Sequence, residues 1–160
     1  MMKTILLMLA ASLSFAQETP TPPSQQKYYR FDFVVKELEA AKVQTARSYS
    51  VIGGVRGREN SMMIRTGDKV QVPGGDAKFT YIDVGTNIDC RIVSESPTEL
   101  GLSVSADISS ADAPRAPVIS QTKWNSNVVV PLKKATVIFT SDSATKKTQT
   151  QLEVTVTPLP

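Results

Sequence analysis

The feature that most constrains this fold is an apolar side chain at every second position, repeated from Tyr28 almost to the end of the chain. Residues 29–35 place aromatic and aliphatic side chains on odd positions and mostly polar ones between them. The cleanest alternation comprises Leu100, Leu102, Val104, Ala106 and Ile108. A period of two is that of a β-strand with one buried face, whereas an amphipathic helix needs a period of 3.6. The chain therefore predicts β-strands.

Strand-like runs recur along the chain with turn residues between them. We expect strands near residues 28–39, 43–52, 61–66, 69–72, 78–93, 100–108, 118–124, 128–132, 136–140 and 149–157. Gly67-Asp68 is expected to be a turn that splits the third and fourth of these runs. The segment from Glu37 to Lys42 is also compatible with a helix, so the end of the first strand stays open. The pattern predicts an all-β fold, an antiparallel β-sandwich or open barrel of about nine strands.

The longest run contains a change of phase at Gly85. Phe79 and Tyr81 occupy odd positions before it, whereas Ile88 and Cys90 occupy even positions after it. One extra residue in a strand shifts the side chains from one face to the other. We therefore expect a β-bulge at Gly85, where the strand changes faces.

The N-terminus has the pattern of a secretory signal. Lys3 precedes an apolar run from Thr4 to Leu13, and small residues then precede a cleavage point before Gln17. Such a run is too short for a membrane-spanning helix, which needs about 20 apolar residues. The sequence thus predicts a signal peptide over 1–16, a proline-rich tether over 17–27 and a single domain over 28–160. We expect a periplasmic or secreted protein that does not span the membrane after cleavage.

Composition argues against most catalytic and nucleic-acid functions. The chain has no histidine, a single cysteine and a net charge of only +3. Histidine is the commonest general base and metal ligand, and an electrostatic nucleic-acid partner calls for a stronger basic excess. Cys90 lies in phase with apolar neighbours and is expected to be a buried hydrophobic residue rather than a nucleophile. We predict no enzyme activity, no metal, no cofactor and no nucleic-acid partner.

Two carboxylate pairs keep a hydrolase or isomerase as an alternative. Asp83 and Asp89 lie in one strand, and Glu37 and Glu39 are two residues apart and share a face. Two acids on one face can divide the roles of general acid and base. They are more typical of the solvated side of a strand.

Five residues are candidates for contact with a partner. Trp124, Tyr81 and Tyr49 are aromatic side chains of the kind that bind sugars or protein surfaces, while Arg56 and Arg58 lie in a glycine-rich, locally basic loop. A core position for Trp124 and a solvated rim for the arginines are the competing interpretations. Arg65 and Lys69 extend the basic stretch, which Glu59 and Asp68 interrupt.

The order of several short motifs resembles that of one known family. Thr-Gly and Val-Pro steps are followed by a Tyr-x-x-Val-Gly strand, a Pro-Val-x-Ser strand, a Val-Ile strand and a final Thr-Pro. The matching residues are Thr66, Gly67, Val70, Pro73, Tyr81, Val84, Gly85, Ser109, Pro117, Val118, Ser120, Val137, Ile138, Thr157 and Pro158. In this order, over residues 43–158, the chain resembles the β-domain of bacterial outer-membrane secretins, the ring-forming channels of type II and type III secretion and type IV pilus systems.

The resemblance implies a β-fold and a place in the cell envelope. Secretins continue after the Val-Ile strand into a glycine- and proline-rich lip that enters the outer membrane, whereas here Phe139 to Asp142 and a short polar turn follow. The resemblance therefore implies a secretin-like domain without the membrane-inserting lip.

Three functions remain in consideration. The first is a non-catalytic structural or interaction module of the envelope, associated with a secretion or pilus assembly. It would bind a protein partner or a second copy through an exposed strand edge, such as that of residues 28–39 or 149–157. The second is a ligand-binding β-sandwich for a carbohydrate, lipid or ion, with Trp124, Tyr81 or Tyr49 as a stacking platform. The third is the carboxylate enzyme.

Overall fold

The computed structural model describes residues 26–55, 60–73, 79–111, 119–143 and 147–160. Within these ranges the chain forms eight strands and no α-helix. They are β1 (Tyr28–Glu39), β2 (Lys42–Gly54), β3 (Ser61–Pro73), β4 (Phe79–Glu95), β5 (Glu99–Ala111), β6 (Ile119–Pro131), β7 (Thr136–Asp142) and β8 (Thr148–Pro158). The expected signal segment, nearly all of the tether, and Arg56 and Arg58 lie outside the described residues.

The strands form two four-stranded antiparallel sheets. One has the order β2-β1-β8-β7, and the other has the order β3-β4-β5-β6. The chain crosses between the sheets from β2 to β3 and from β6 to β7, while the other consecutive strands are hairpin neighbours. The all-β antiparallel prediction is confirmed, and of its two forms the sandwich is the one observed.

The predicted alternation builds the core between the sheets. Phe31 and Phe33 of β1, and the β8 residues Leu152, Val154 and Val156, are fully buried from one side. From the other side the core receives Met62, Ile88, Cys90, Ile92, Leu100, Leu102, Val104, Ala106 and Val130. A fully buried Phe, Leu or Val side chain contributes about 1.5–3 kcal/mol through the hydrophobic effect. The two faces together supply the main stabilisation of the fold.

Eight strands are found in the described residues instead of about nine, because Gly67-Asp68 is not a turn and because the expected strands 118–124 and 128–132 form the single strand β6. β3 runs unbroken from Ser61 to Pro73 and pairs with β4 throughout, with Gly67 opposite Gly85. A side chain at Gly85 would overlap the carbonyl oxygen of Thr66 and the Cα atom of Gly67. Here the glycines permit two backbones to approach closely within a continuous ladder, which is the other common reason for glycine in a strand.

The expected bulge at Gly85 is also absent, since the β3–β4 register shows no shift. Phe79 and Tyr81 therefore stay on the solvent-facing side with Asn87 and Asp89 and do not join the core. β4 does have an irregularity further along, between Ile92 and Ser94 in its pairing with β5.

The strand edges differ from those expected. β1 and β8 are central, since β1 pairs with β2 and β8, and β8 pairs with β1 and β7. The edges are β2 and β7 in one sheet and β3 and β6 in the other. The possible helix at Glu37–Lys42 is a two-residue turn, with Ala40 and Ala41 between the paired residues Glu39 and Lys42.

Candidate functional site

A two-stranded arm projects from one end of the β3–β6 sheet. β4 pairs with β5 only from Thr86 onward, whereas its pairing with β3 continues to Phe79. Residues 68–73 and 79–84 therefore pair only with each other among the described residues. We call this segment the hairpin arm. Its hydrogen bonds come from one neighbour, so its side chains lack the support that the core provides elsewhere.

The arm exposes large apolar side chains on one face. Phe79 and Tyr81 are 62% and 63% exposed and point to the same side. Gln71 and Pro73 are their cross-strand partners on β3. Exposed aromatic rings carry a large apolar area and are enriched at binding surfaces. This face thus has the composition of a contact surface.

The opposite face of the arm is aliphatic. Val70 and Ile82 are cross-strand partners, and Val72 and Val84 lie on the same side. Ile82 is 37% exposed, and the three valines are half-buried. An open cleft of about 380 Å³ lies between Val70 and Val84 of the arm and Arg47 and Tyr49 of β2. The arm therefore presents apolar side chains on both faces, and the sandwich does not fill the space beside it.

Polar contacts fix the base of the arm. Gly85 N–H donates to Ser109 Oγ at 3.0 Å, and Tyr49 Oη donates to Thr86 Oγ1 at 3.2 Å. Thr86 is fully buried and Ser109 is 8% exposed. The second bond connects the two sheets, so the base belongs to the sandwich while the arm extends beyond it.

The structure does not bring the three predicted aromatic residues together. Tyr81 lies on the arm, and Tyr49 lies half-buried at its base. Trp124 is half-buried on β6, where its ring centroid is 5.2 Å from that of Phe139 on β7. These residues do not form one stacking platform, and Phe79 is the aromatic neighbour of Tyr81.

Sequence reasoning related Phe79 to the phase of Ile88 through a bulge at Gly85 and so missed it as a surface residue. In the β3–β4 ladder Gly67 faces Gly85 and Pro73 faces Phe79. That register keeps residues 79–95 in one phase and needs no bulge, and the turn motif at residues 73–76 does not predict it.

The basic stretch is neutralised where the structure describes it. Arg65 Nη2 binds both carboxylate oxygens of Asp89, at 2.7 and 2.9 Å, and Lys69 Nζ lies 2.8 Å from Asp83. Both pairs are exposed, so each contributes at most about 1 kcal/mol to stability. In these ion pairs Asp89 binds Arg65 and Asp83 binds Lys69, so the two carboxylates do not form the acid–base pair considered from the sequence.

The described residues contain no cluster of metal-binding side chains. They include no group of three or more His, Cys, Asp or Glu side chains that could hold a metal. Cys90 is 2% exposed, and burial raises the pKa of its thiol to about 12. A thiol with a raised pKa is a poor nucleophile because the thiolate is the reactive form.

A second cleft opens between the sheets at the end of the sandwich from which the arm projects. It has a volume of about 490 Å³, and Val35 and Ile108 are among its apolar lining residues. Its walls carry mainly serine and threonine side chains from β2, β5, β6, β7 and β8.

In the part of the chain that the structure covers, no helix has the length and apolar character needed to cross a bilayer.

Comparison with known proteins places the fold. The secretin InvG of the Salmonella type III secretion injectisome matches with a TM-score of 0.50 and 8% identity, over 84% of this chain and 65% of the InvG chain. The Salmonella basal-body structure that contains InvG, PrgH and PrgK also matches, with a TM-score of 0.50 and 8% identity, over 84% of this chain and 46% of the other. The chain has a secretin-like β-fold.

A type II secretin gives a weaker match to this secretin-like fold. GspD of Escherichia coli aligns with a TM-score of 0.47 and 10% identity, over 84% of this chain and 48% of GspD. The chain thus spans 65% or less of each of these three secretin chains. No protein-family profile matches the sequence, and no curated protein matches it. The family resemblance of the sequence is confirmed at the level of the fold.

Proposed function

We propose that this protein is an exported, non-catalytic structural module of the bacterial cell envelope that binds a protein partner or a second copy of itself. The observation that carries the proposal is the hairpin arm, which holds Phe79 and Tyr81 in solvent on a rigid base. Exposed apolar groups on a defined projection are costly in water unless another surface covers them.

The edge of β3 extends the contact surface. β3 is the terminal strand of its sheet, and its outer edge continues from the sandwich into the arm. A terminal strand presents unpaired N–H and C=O groups to which a strand of a partner can add. The arm alone has twelve residues, about half of the 20–30 that each side of a standard interface contributes. Together with residues 61–67 of the edge, the arm comes close to the lower end of that range.

The fold supports an envelope role. Secretin-like domains occur in InvG, which forms a basal body with PrgH and PrgK in the injectisome. For this chain we propose an association with a secretion or pilus assembly, in the periplasm or outside the cell after cleavage of residues 1–16. A non-catalytic role is supported by the ion pairs that Asp83 and Asp89 form with lysine and arginine, and by the burial of Cys90.

Light scattering with matched variants tests the proposal. We expect the purified protein to form a defined oligomer or, with its partner, a defined complex, and the double variant Phe79→Ser/Tyr81→Ser to dissociate it. Val129→Ser is the control, because Val129 is 60% exposed on β6, at the opposite edge of the same sheet and outside the proposed contact surface. The control should keep the oligomer or complex intact.

Photo-crosslinking in the producing cells separates the two kinds of partner. A photoreactive amino acid at position 81 should give one discrete product, with the mass of either a dimer or a heterologous complex, and position 129 on β6 should give none. A monomer at all concentrations, combined with no crosslinked product from position 81, would refute the proposal.

A further inference from the structure

Six strands change from apolar to polar side chains on their inward faces at one end of the sandwich. On β8 the inward series Val156, Val154 and Leu152 continues with Thr150 and Thr148, and β6 passes from Trp124 to Thr122 and Ser120. The same change occurs at Ser110 of β5, Ser141 of β7, Arg47 and Thr45 of β2 and Glu37 of β1. These positions are fixed by register, since each faces the partner sheet.

This change explains why a cleft opens there. Burial of a serine or threonine hydroxyl without a hydrogen-bond partner costs free energy. The small polar side chains therefore remain half-exposed and do not pack as the core does. The resulting space of about 490 Å³ lies within the range of small-molecule clefts, about 300–1,000 Å³.

The charges at the cleft favour an uncharged ligand. The lining includes Arg47 and Lys123, but also Glu37 and Asp142. Lys123 Nζ lies 3.4 Å from Asp107, and Asp142 accepts a hydrogen bond of 2.9 Å from Gln149. Because positive and negative groups balance, the cleft offers an anion or a cation little net attraction.

We propose that this cleft binds a neutral sugar of mono- or disaccharide size. A hydroxyl side chain both donates and accepts hydrogen bonds, which matches the hydroxyl groups of a sugar. Ile108 and Ile119, which are half-buried, contribute apolar surface for the C–H face of a sugar ring. A lipid tail would need a largely apolar lining, which the serine and threonine walls do not provide. The site is independent of the protein-contact surface proposed for the arm.

Titration with maltose and cellobiose, followed by amide chemical shifts in two-dimensional NMR spectra, tests the proposal. We expect saturable shifts for at least one sugar at Ser110, Thr122 and Thr150. The double variant Thr122→Val/Thr150→Val keeps the side-chain shape but removes two hydroxyl groups. It should weaken binding about tenfold, since a hydrogen bond contributes about 0.5–1.5 kcal/mol.

Two variants show that the effect belongs to the hydroxyl groups of the cleft. Thr155→Val changes a threonine on the outer face of the same strand and should leave the affinity unchanged. Thr122→Ser/Thr150→Ser retains both hydroxyl groups and should retain binding within about threefold. No shifts with either sugar, shifts confined to Phe79 and Tyr81, or equal shifts with sodium acetate would overturn the proposal.

Discussion

Tyr29 shows how one side chain joins the two sheets. It is 3% exposed, and its Oη donates to the Glu95 carboxylate at 2.8 Å, while Lys27 Nζ lies 2.8 Å from the same oxygen. Burial, followed by the hydrogen bond to Glu95 and the negative charge of that residue, raises the pKa of Tyr29 to about 12. The neutral phenol is therefore the form that the folded state favours.

This pKa predicts a loss of stability in alkali. In the unfolded chain tyrosine ionises near pH 10.0, whereas in the fold its pKa is about 12. The unfolded state releases this proton first, so the free energy of unfolding falls as the pH rises from 10 towards 12. Below pH 10 both states keep the proton, and the contribution of Tyr29 to the free energy of unfolding is fully present. Cys90 acts in the same direction from pH 9.0, because its pKa is also raised to about 12.

We expect Tyr29→Phe, in a Cys90→Ala background, to reduce the decline between pH 10 and 12. Urea unfolding from pH 8 to 12, followed by circular dichroism, measures the slope. Cys90→Ala alone is the control, and its remaining slope should exceed that of the double variant. Equal slopes would show that Tyr29 does not ionise differently in the two states.

At the scale of elements, the β1–β2 turn stores an avoidable conformational cost. Ala40 and Ala41 connect Glu39 to Lys42 with φ angles of 47° and 64°. A two-residue hairpin turn with both angles positive favours Asn-Gly or Asp-Gly, whereas an alanine in this region costs about 1–2 kcal/mol. The pairing of β1 with β2 requires this turn, but the sequence has Ala-Ala where Asn-Gly or Asp-Gly is preferred.

Replacing the pair should stabilise the protein. We expect Ala40→Asn/Ala41→Gly to raise the free energy of unfolding by about 1 kcal/mol, measured by urea denaturation. Ala46→Gly on the neighbouring strand β2 is the control, and it should destabilise, because glycine weakens a strand interior. A lower stability of the turn variant would contradict the turn geometry.

The arm and the edges also belong to the scale of elements. β4 has seventeen residues but β5 has thirteen, and their pairing stops at Thr86. β5 continues beyond Ile108 to Ala111 but pairs there only with β6, which leaves the arm without a third strand among the described residues. Neither strand length nor pairing is visible in a local pattern, so residues 79–84 look like any other strand in the sequence.

At the scale of the whole molecule, Trp124 and Phe139 close one side of the sandwich. They lie on β6 and β7, edge strands of different sheets, with ring centroids 5.2 Å apart and planes inclined by 34°. Such aromatic pairs contribute about 0.5–1.5 kcal/mol beyond the area that they bury. The opposite side has a polar connection instead, from Tyr49 to Thr86.

Removing the ring of Phe139 should loosen this side. We expect Phe139→Ala to lower the free energy of unfolding by about 2 kcal/mol, less than for a fully buried Phe because the site is half-exposed. Trp124 is the single tryptophan, so its emission should shift to longer wavelength in the folded variant. Val137→Ala on the same strand, at a 45% exposed position, should change neither quantity appreciably.

The sequence alone determined the class of fold and most of the core. Side-chain alternation is a local property, so the buried faces of β1, β5 and β8 could be predicted from residues two apart. The motif order over residues 43–158 indicated the secretin-like fold. The lack of histidine and the presence of only one cysteine, Cys90, limit the available chemistry, because composition does not depend on how the strands pair.

Only the tertiary structure decided which strands lie at an edge, where the arm leaves the sheet, and where the two sheets part to form a cleft. Each depends on the pairing of residues far apart in the chain. Gly67 looks like a turn until Gly85 is placed opposite it, and the position of Phe79 is decided only when the β3–β4 register puts it on the solvent-facing side with Asn87. Thr150 looks like an ordinary strand residue until Ser141 and Thr122 are found beside the same open space.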